Sequence, residues 1–545
     1  MDSISNSSSE QVIDRISSLP DALLLHVLSF LDVCQAVRTG ILSSRWRVLW
    51  TSISSLDFNQ YQFKGYKGFD PLDDLEEEED PYQRHNLLYN EFNYDEDDDD
   101  DDNDDGGDAD GGDSASDNAD EFIKFVERSL LLHGAPKINK FSLTCDYRKK
   151  LEYFIDGWIL AATRKDVKEF YLEFPYSIDD SYSLPCWLLK CGSLISLSLD
   201  GCLMGVPKSV YLSSLLSLSL YSIRMEVGSI PALLSGCPML EELVLDKCSI
   251  SSGRLRILPS SSSTALRLKR LKVVFCSNQS GNEIGLEVEA PNLEFLSLFG
   301  VKIHKNPLRN MLFLREAHLG IYFTGWNHKL HCTLESWLKD LKHVKVLGLC
   351  SSCIEVLSFL GERYQPSYCS KTKCLVLESE LQRSELPGIA NLLWRSHDLE
   401  NLIINLPTRM ISGPSQTPEE EDFINEYWRR LKFSFPCMVN SLMTVKISGF
   451  MGRKCKSAQI MLRKCRSTVD CDIVSSIFEK QDTEIELVRF FLTNAVSLKK
   501  MTVQFCDKPD FLEGQEWSKI LLRTSQKLTA IPRTSSCAEL SLLNK

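Results

Sequence analysis

Apolar residues along this chain follow two periods, and the change of period divides it. Between Asp14 and Phe58 the spacing is helical. Leu24, Val27, Leu28 and Leu31 fall on one stripe, which Leu23, Leu25 and Phe30 widen. Upstream, Ser18 is a candidate helix cap, Pro20 suits a first turn, and Asp21 complements the positive helix end. The spacing predicts a second short helix around Ala36-Val37 and a third over Ser44–Trp50, with Trp46 and Trp50 four apart on one face. This is more apolar surface than three short helices can hide from water. The module is therefore expected to dock, either on the domain that follows it or on a separate chain.

From residue 138 the period changes and a Leu-x-x-Leu-x-Leu pattern repeats. Copies run Ile138–Leu143, Val167–Leu172, Leu194–Leu199, Leu215–Leu220, Leu240–Leu245, Leu268–Val273, Leu293–Leu298 and Leu314–Leu319. Weaker copies follow at Val344–Leu349, Lys373–Leu377 and Leu399–Ile404. Successive starts in the first nine lie 21 to 30 residues apart, the period of leucine-rich repeats. One such turn cannot bury its own apolar side, so neighbours must stack. The expected fold is α/β: three N-terminal helices, then a leucine-rich-repeat solenoid (horseshoe) whose concave sheet is a recognition surface. Return segments such as Ile230–Met239 read as short helices or turns on the convex side.

Composition adds one correction to this picture. With 43% hydrophobic residues, 27 Gly and 20 Pro among 545, the chain is neither wholly disordered nor fibrous. Its net charge of −14 comes from one segment: Asp73–Asp120 holds 23 acidic residues against Arg84, a local −22 that leaves the rest at +8. Residues 70–120 therefore read as a disordered acidic insert, because like charges repel and nothing apolar is available to bury. A solvated linker is the plain reading; a partner-binding segment and a mask over basic surface are the alternatives. The remaining boundaries are a disordered 1–12, a helical module at 13–58, repeats over 121–430 and a related region at 431–545.

Candidate chemistry is sparse. Nineteen scattered Cys, no apolar leader in Met1–Glu10 and no apolar run of bilayer length point to reduced thiols in the cytoplasm or nucleus, with no membrane partner. Cys350-x-x-Cys353 lacks a second Cys or His pair nearby, so no metal is expected there. No cofactor or catalytic residue is expected either, since G-x-G-x-x-G, P-loop, G-x-S-x-G and H-E-x-x-H motifs are absent. The basic stretch Arg267-Leu-Lys269-Arg270-Leu-Lys272 reads as a solvated strand face, with an anion-binding patch as the alternative. Arg453-Lys454, Lys456 and Arg463-Lys464 read as an exposed basic loop. Nucleic acid is not an expected partner.

The string Asp14-Arg-Ile-Ser-Ser-Leu-Pro-Asp-Ala-Leu-Leu, continued by Leu-Ser-Phe-Leu31, Ala36-Val-Arg-Thr39 and Leu42-Ser-Ser-Arg-Trp-Arg-Val-Leu-Trp50, resembles the F-box of plant F-box proteins. Gly40, where Ser is usual, and Ser44, where Lys or Arg is usual, depart from that pattern. The repeat segments Leu184–Cys202 and Leu233–Leu243 resemble those of plant F-box/leucine-rich-repeat proteins. Leu442–Phe450, Glu486–Ala495 and Leu498–Val503 are similar to the FBD module, interrupted by a basic insertion at Lys454–Lys480. The resemblance implies the substrate-recognition subunit of an SCF (Skp–cullin–F-box) ubiquitin ligase, not itself an enzyme. Its implied adaptor-binding residues are Leu19, Pro20, Leu24, Val27, Leu28, Leu31, Val37, Trp46 and Trp50, contacting a Skp-type adaptor and through it a cullin. The repeats would hold a substrate protein for ubiquitination. A leucine-rich-repeat scaffold or receptor outside any ligase is the alternative.

Overall fold

The computed structural model describes residues 16, 18–63, 113–175, 181–207, 209–251, 253–258, 267–278, 280–282, 284–301, 308–320, 328–358, 368–382, 384–406, 427, 435–450, 482–508 and 514–544. The expected disordered 1–12, almost all of the acidic insert and the basic loop at 453–464 lie outside these residues. Two compact units divide the chain, Met1–Tyr182 and Ser183–Lys545.

The first unit opens with three short helices: α1 (Asp21–Leu28), α2 (Val33–Arg38) and α3 (Ser44–Leu49). Their caps differ from expectation at the first. Pro20 itself occupies the cap position of α1 and no side chain caps it, whereas Ser18 lies outside the helix. Proline has no N–H to satisfy and its fixed φ suits a helix entrance. Asp32 caps α2 by accepting from the Gln35 N–H at 2.7 Å, and Ser43 caps α3 from the Trp46 N–H at 3.4 Å. Arg45 ties α3 to α1 through the Asp21 carboxylate and, at 2.6 Å, the Leu19 carbonyl.

Strand β1 (Ser55–Asn59) follows at once and pairs in parallel with β2 (Lys140–Thr144), which pairs with β3 (Glu169–Glu173). Leu56 and Phe58, Phe141 and Leu143, and Phe170 and Leu172 are buried on one side of this sheet. Their rings form a row, Phe58 to Phe141 at 6.0 Å and Phe141 to Phe170 at 5.4 Å. Helix α4 (Asp113–Leu132) buries Phe122, Ile123 and Val126, and α5 (Glu152–Thr163) buries Ile155, Trp158 and Ile159. Two sequence boundaries are corrected here. Residues 113–120, read as part of the acidic insert, belong to α4, which starts at Asp113. The run also does not stand before the array but inside it, between the first strand and the second. Ile53-Ser-Ser-Leu56-Asp-Phe58 is itself a copy of the repeat pattern, hidden at the end of the helical module.

The second unit contributes twelve parallel strands in sequence order: β4 (Ser196–Asp200), β5 (Ser217–Tyr221), β6 (Glu242–Asp246), β7 (Arg270–Val274), β8 (Phe295–Phe299), β9 (Glu316–Gly320), β10 (Val346–Leu349), β11 (Cys374–Glu378), β12 (Asn401–Asn405), β13 (Thr444–Phe450), β14 (Lys500–Phe505) and β15 (Glu539–Leu543). Burial alternates along most of them, the Leu positions inward and the intervening positions outward, as the period of two demands. All eleven copies read from the sequence contain a strand, and β13 to β15 carry the same sheet to residue 543. The return segment at Ile230–Met239 is the expected short helix, Ser229–Gly236, but other early repeats return through strands. Short parallel strands, Cys202–Met204 with Arg224–Met225 and Arg254–Ile257 with Gly285–Glu289, return the earlier repeats alongside the helix Ser229–Gly236. Helices His328–Asp340, Ser351–Ser358 and Leu386–Arg395 return the later ones. The repeat that starts at Leu314 returns through the longest of these, the 13-residue helix His328–Asp340.

Candidate functional site

Two surfaces are candidates, the helical module and the outward face of the twelve-stranded sheet. In the module, the expected adaptor-binding residues separate by burial. Leu24 and Leu28 are fully enclosed and Trp46 and Trp50 nearly so, and with Val33, Ala36 and Leu49 they are the module's core. Leu19, Leu31 and Val37 are half-buried. Only Pro20 and Val27 of the nine stand exposed. Leu24, Leu28, Trp46 and Trp50 thus lie in the module's core, beneath its exposed apolar residues. The exposed apolar residues are instead Leu23 (50%), Val27 (49%), Phe30 (76%), Ile41 (89%), Leu42 (66%) and Val48 (65%). Leu23 and Val27 lie one turn apart on α1, and Phe30 continues that row past its end, edge-on to the His26 ring at 4.9 Å. The signal was present in the sequence: residues 23, 27 and 30 share helical spacing, offset by one from the buried pair 24 and 28.

Outward side chains of the sheet form cross-strand ladders. β4 and β5 present paired serines, Ser196 opposite Ser217 and Ser198 opposite Ser219. Further along, the Arg270 guanidinium lies 4.3 Å from the centre of the Phe295 ring and 3.3 Å from Glu242. Phe295 meets the His318 ring at 5.9 Å, and His318 Nε2 reaches Glu316 Oε1 at 2.8 Å. His318 rests on the bare backbone of Gly348, where an added Cβ would stand 2.1 Å from its Nδ1. On β11, burial raises the Glu378 carboxyl above its ordinary range, opposed by a 2.8 Å hydrogen bond from Asn405 Nδ2. Charges near the strand starts neutralise one another: Lys269 with Glu241 at 2.9 Å, Arg315 with Glu294 at 4.0 Å, and Lys373 with Glu400 at 2.6 Å. A shallow cavity of about 390 Å³ opens among Glu241, Lys269, Glu294, Phe313 and Arg315.

These pairings bear on the two readings of the basic stretch. Lys269 and Arg270 are spent on Glu241 and Glu242, and Arg267 leans on the Met239 sulfur at 2.8 Å. Lys269 and Arg270 are therefore salt-paired residues of a strand face. Among the described residues no group of three or more His, Cys, Asp or Glu is placed to hold a metal ion. Among them, too, no helix is long and apolar enough to cross a membrane.

A helical module followed by stacked parallel strands at leucine-rich-repeat spacing places the chain in the leucine-rich-repeat class of folds. Comparison with known families makes this specific. Residues 16–58 match the F-box domain, residues 155–305 the model described as FBD-associated F-box protein At5g56370, LRR repeats, and residues 473–503 the FBD. The F-box/LRR-repeat protein At3g59200 of Arabidopsis thaliana is 28% identical over 417 residues, 72% of this chain and 69% of that protein. The putative F-box/FBD/LRR-repeat protein At5g44950 of the same plant is 25% identical over 551 residues, spanning 97% of this chain and 99% of its own length. The chain thus carries an F-box, leucine-rich repeats and an FBD, and its homologues are Arabidopsis F-box/LRR/FBD proteins.

Proposed function

We propose that this chain is the substrate-recognition subunit of an SCF-type ubiquitin ligase. The F-box would dock on a Skp-type adaptor, and through it a cullin, while the outward sheet face binds a substrate protein. The observation that carries the reading is the row Leu23, Val27 and Phe30, with Ile41, Leu42 and Val48, left exposed beside a completed core. Six large apolar side chains held about half or more in water are a standing free-energy cost that a partner surface removes. The docking face drawn from the structure therefore adds Leu23, Phe30, Ile41, Leu42 and Val48 to Leu19, Pro20 and Val27. Leu24, Leu28, Trp46 and Trp50 support it from below.

The proposed mechanism is proximity. Holding a substrate on one unit and a ligase on the other raises the effective concentration of substrate lysines near the transfer enzyme. No catalytic group on this chain is required. The salt-paired, aromatic-studded sheet face supports binding of a folded protein surface of mixed charge.

Capture of a recombinant Skp-type adaptor tests the reading. Val27→Glu with Phe30→Glu should weaken capture at least tenfold, since a buried interface charge without a partner costs several kcal/mol, and leave circular dichroism unchanged. The pair Leu19→Ala, Pro20→Ala should also weaken it. Full capture by the doubly charged variant would remove this face from the interface. Failure of the unmodified chain to bind any Skp-type adaptor would leave the repeat scaffold as the function.

A further inference from the structure

We propose that Cys350 and Cys353 form a reversible thiol–disulfide site that is oxidised by peroxides. The two sulfurs lie 3.7 Å apart against about 2.05 Å in a disulfide, so they are already in contact and must approach by less than about 2 Å to bond. Both residues hang from one anchor. The Cys350 N–H donates to the Leu319 carbonyl at 3.1 Å, and the Cys353 thiol donates to the same oxygen at 3.5 Å. That shared carbonyl fixes the spacing between the residues whatever the rest of the repeat does.

The surroundings assign the two thiols different roles. Cys350 is half-buried and lies between the end of strand β10 at Leu349 and the helix Ser351–Ser358. Its carbonyl accepts the Ile354 N–H at 3.1 Å, so it stands at the start of that helix with its side chain partly open to solvent. Cys353 is fully enclosed. Other cysteines of the array, Cys202, Cys248 and Cys276, also donate their thiols to strand carbonyls, and Cys248 and Cys276 meet across neighbouring repeats, both of them enclosed. Cys353 keeps that habit, but here a second, more accessible thiol is directed at it.

The step balances as follows. The Cys350 thiolate attacks the outer oxygen of a peroxide, giving a sulfenic acid and releasing the alcohol or water. The Cys353 thiol then loses its proton, attacks the Cys350 sulfur and expels the hydroxyl as water. Two thiols lose two electrons and the peroxide gains them; a low-molecular-weight thiol reverses the bond by exchange. The ring closes only Ser351 and Ser352, so the bond removes little chain entropy and is not a stability staple. Its structural effect is local: the Cys353 thiol gives up the Leu319 carbonyl.

Trypsin provides a clean readout, because cleavage after Lys345 and Arg363 yields a peptide with Cys350 and Cys353 as its only cysteines. Full-length protein is treated with hydrogen peroxide, alkylated, digested and mass-mapped, with and without prior reduction. The site predicts a peptide lighter by two hydrogens and carrying no alkyl group, which becomes doubly alkylated after reduction. In Cys353→Ser protein, Cys350 should accumulate as a sulfenic acid that a 1,3-diketone traps; in Cys350→Ser protein, Cys353 should stay unmodified. Double alkylation at a dose that oxidises exposed Cys186 and Cys369 would overturn the proposal. So would Cys350 reaching sulfinic acid with Cys353 still alkylatable.

Discussion

His133 shows how one residue can join distant parts of a repeat unit. It is 5% exposed, and its Nε2 donates to the Ile53 carbonyl at 2.8 Å while Nδ1 accepts from the Lys165 ammonium at 2.8 Å. Burial, then the neighbouring Lys165 charge, holds its pKa below the ordinary histidine value, against the hydrogen bond to Ile53. The unfolded chain therefore binds a proton more readily than the folded one in the interval just below about pH 6.5. Stability from this site is complete above that pH and is lost as acid is added through the lowered folded value. Melting curves between pH 5 and 7.5 should show a shallower acid loss for His133→Gln than for the unmodified chain. Equal slopes would mean that the ring is not held neutral. The same scale explains what the cysteines concealed. They look scattered in the sequence, yet Cys202, Cys248 and Cys276 each stand three residues past the last apolar position of a repeat, donating to their own and, for Cys248 and Cys276, the preceding strand. That offset was legible; its purpose was not, because carbonyl positions are absent from a one-dimensional pattern.

At the scale of elements, the return helices of the second unit pack through two features of opposite chemistry. Gly388 lets the helix Leu386–Arg395 approach Ser351–Ser358 so closely that an added Cβ would sit 2.0 Å from the Ile354 carbonyl oxygen. Backbone cannot yield as a side chain does, so Gly388→Ala should destabilise the chain by about 1–3 kcal/mol, read from denaturant midpoints. At its other end the same helix buries Arg395 to 1% exposure, with Glu335 at 2.7 Å and the Tyr368 ring centre at 5.1 Å. Arg395→Ala strands the carboxylate and should cost about 3–5 kcal/mol, whereas Arg395→Met with Glu335→Gln should recover much of that loss. An additive double variant would show that the ion pair is not coupled. Neither contact could be read from sequence, since their partners lie 34 and 60 residues away. The strands could, because each Leu-x-x-Leu-x-Leu copy states its own buried side without reference to its neighbours. The docking face falls between: helical spacing located the stripe at Leu24 and Leu28, but only packing against Trp46 and Trp50 revealed which flank stayed wet.

Across the whole chain, the acidic run now has an address. Phe63 leaves β1 and packs on Phe122 and Phe125 of α4, at 5.7 and 5.2 Å. The residues before the run thus pack on the middle of the helix after it, and lengthening the path between them costs only about 0.6 kcal/mol per doubling. Replacing residues 66–110 with a short Gly-Ser linker should leave the melting temperature of the chain nearly unchanged while raising its net charge. A collapse of the transition would show that the acidic run contributes to the core.

That placement has a consequence for proteolysis. A strand paired on the far side of a cut is still paired, so β1 on β2 makes the F-box and the array two halves of a complementing split protein. A protease that nicks the acidic run severs the covalent thread but not the assembly. A site engineered there should yield two bands on a denaturing gel and one peak in native chromatography.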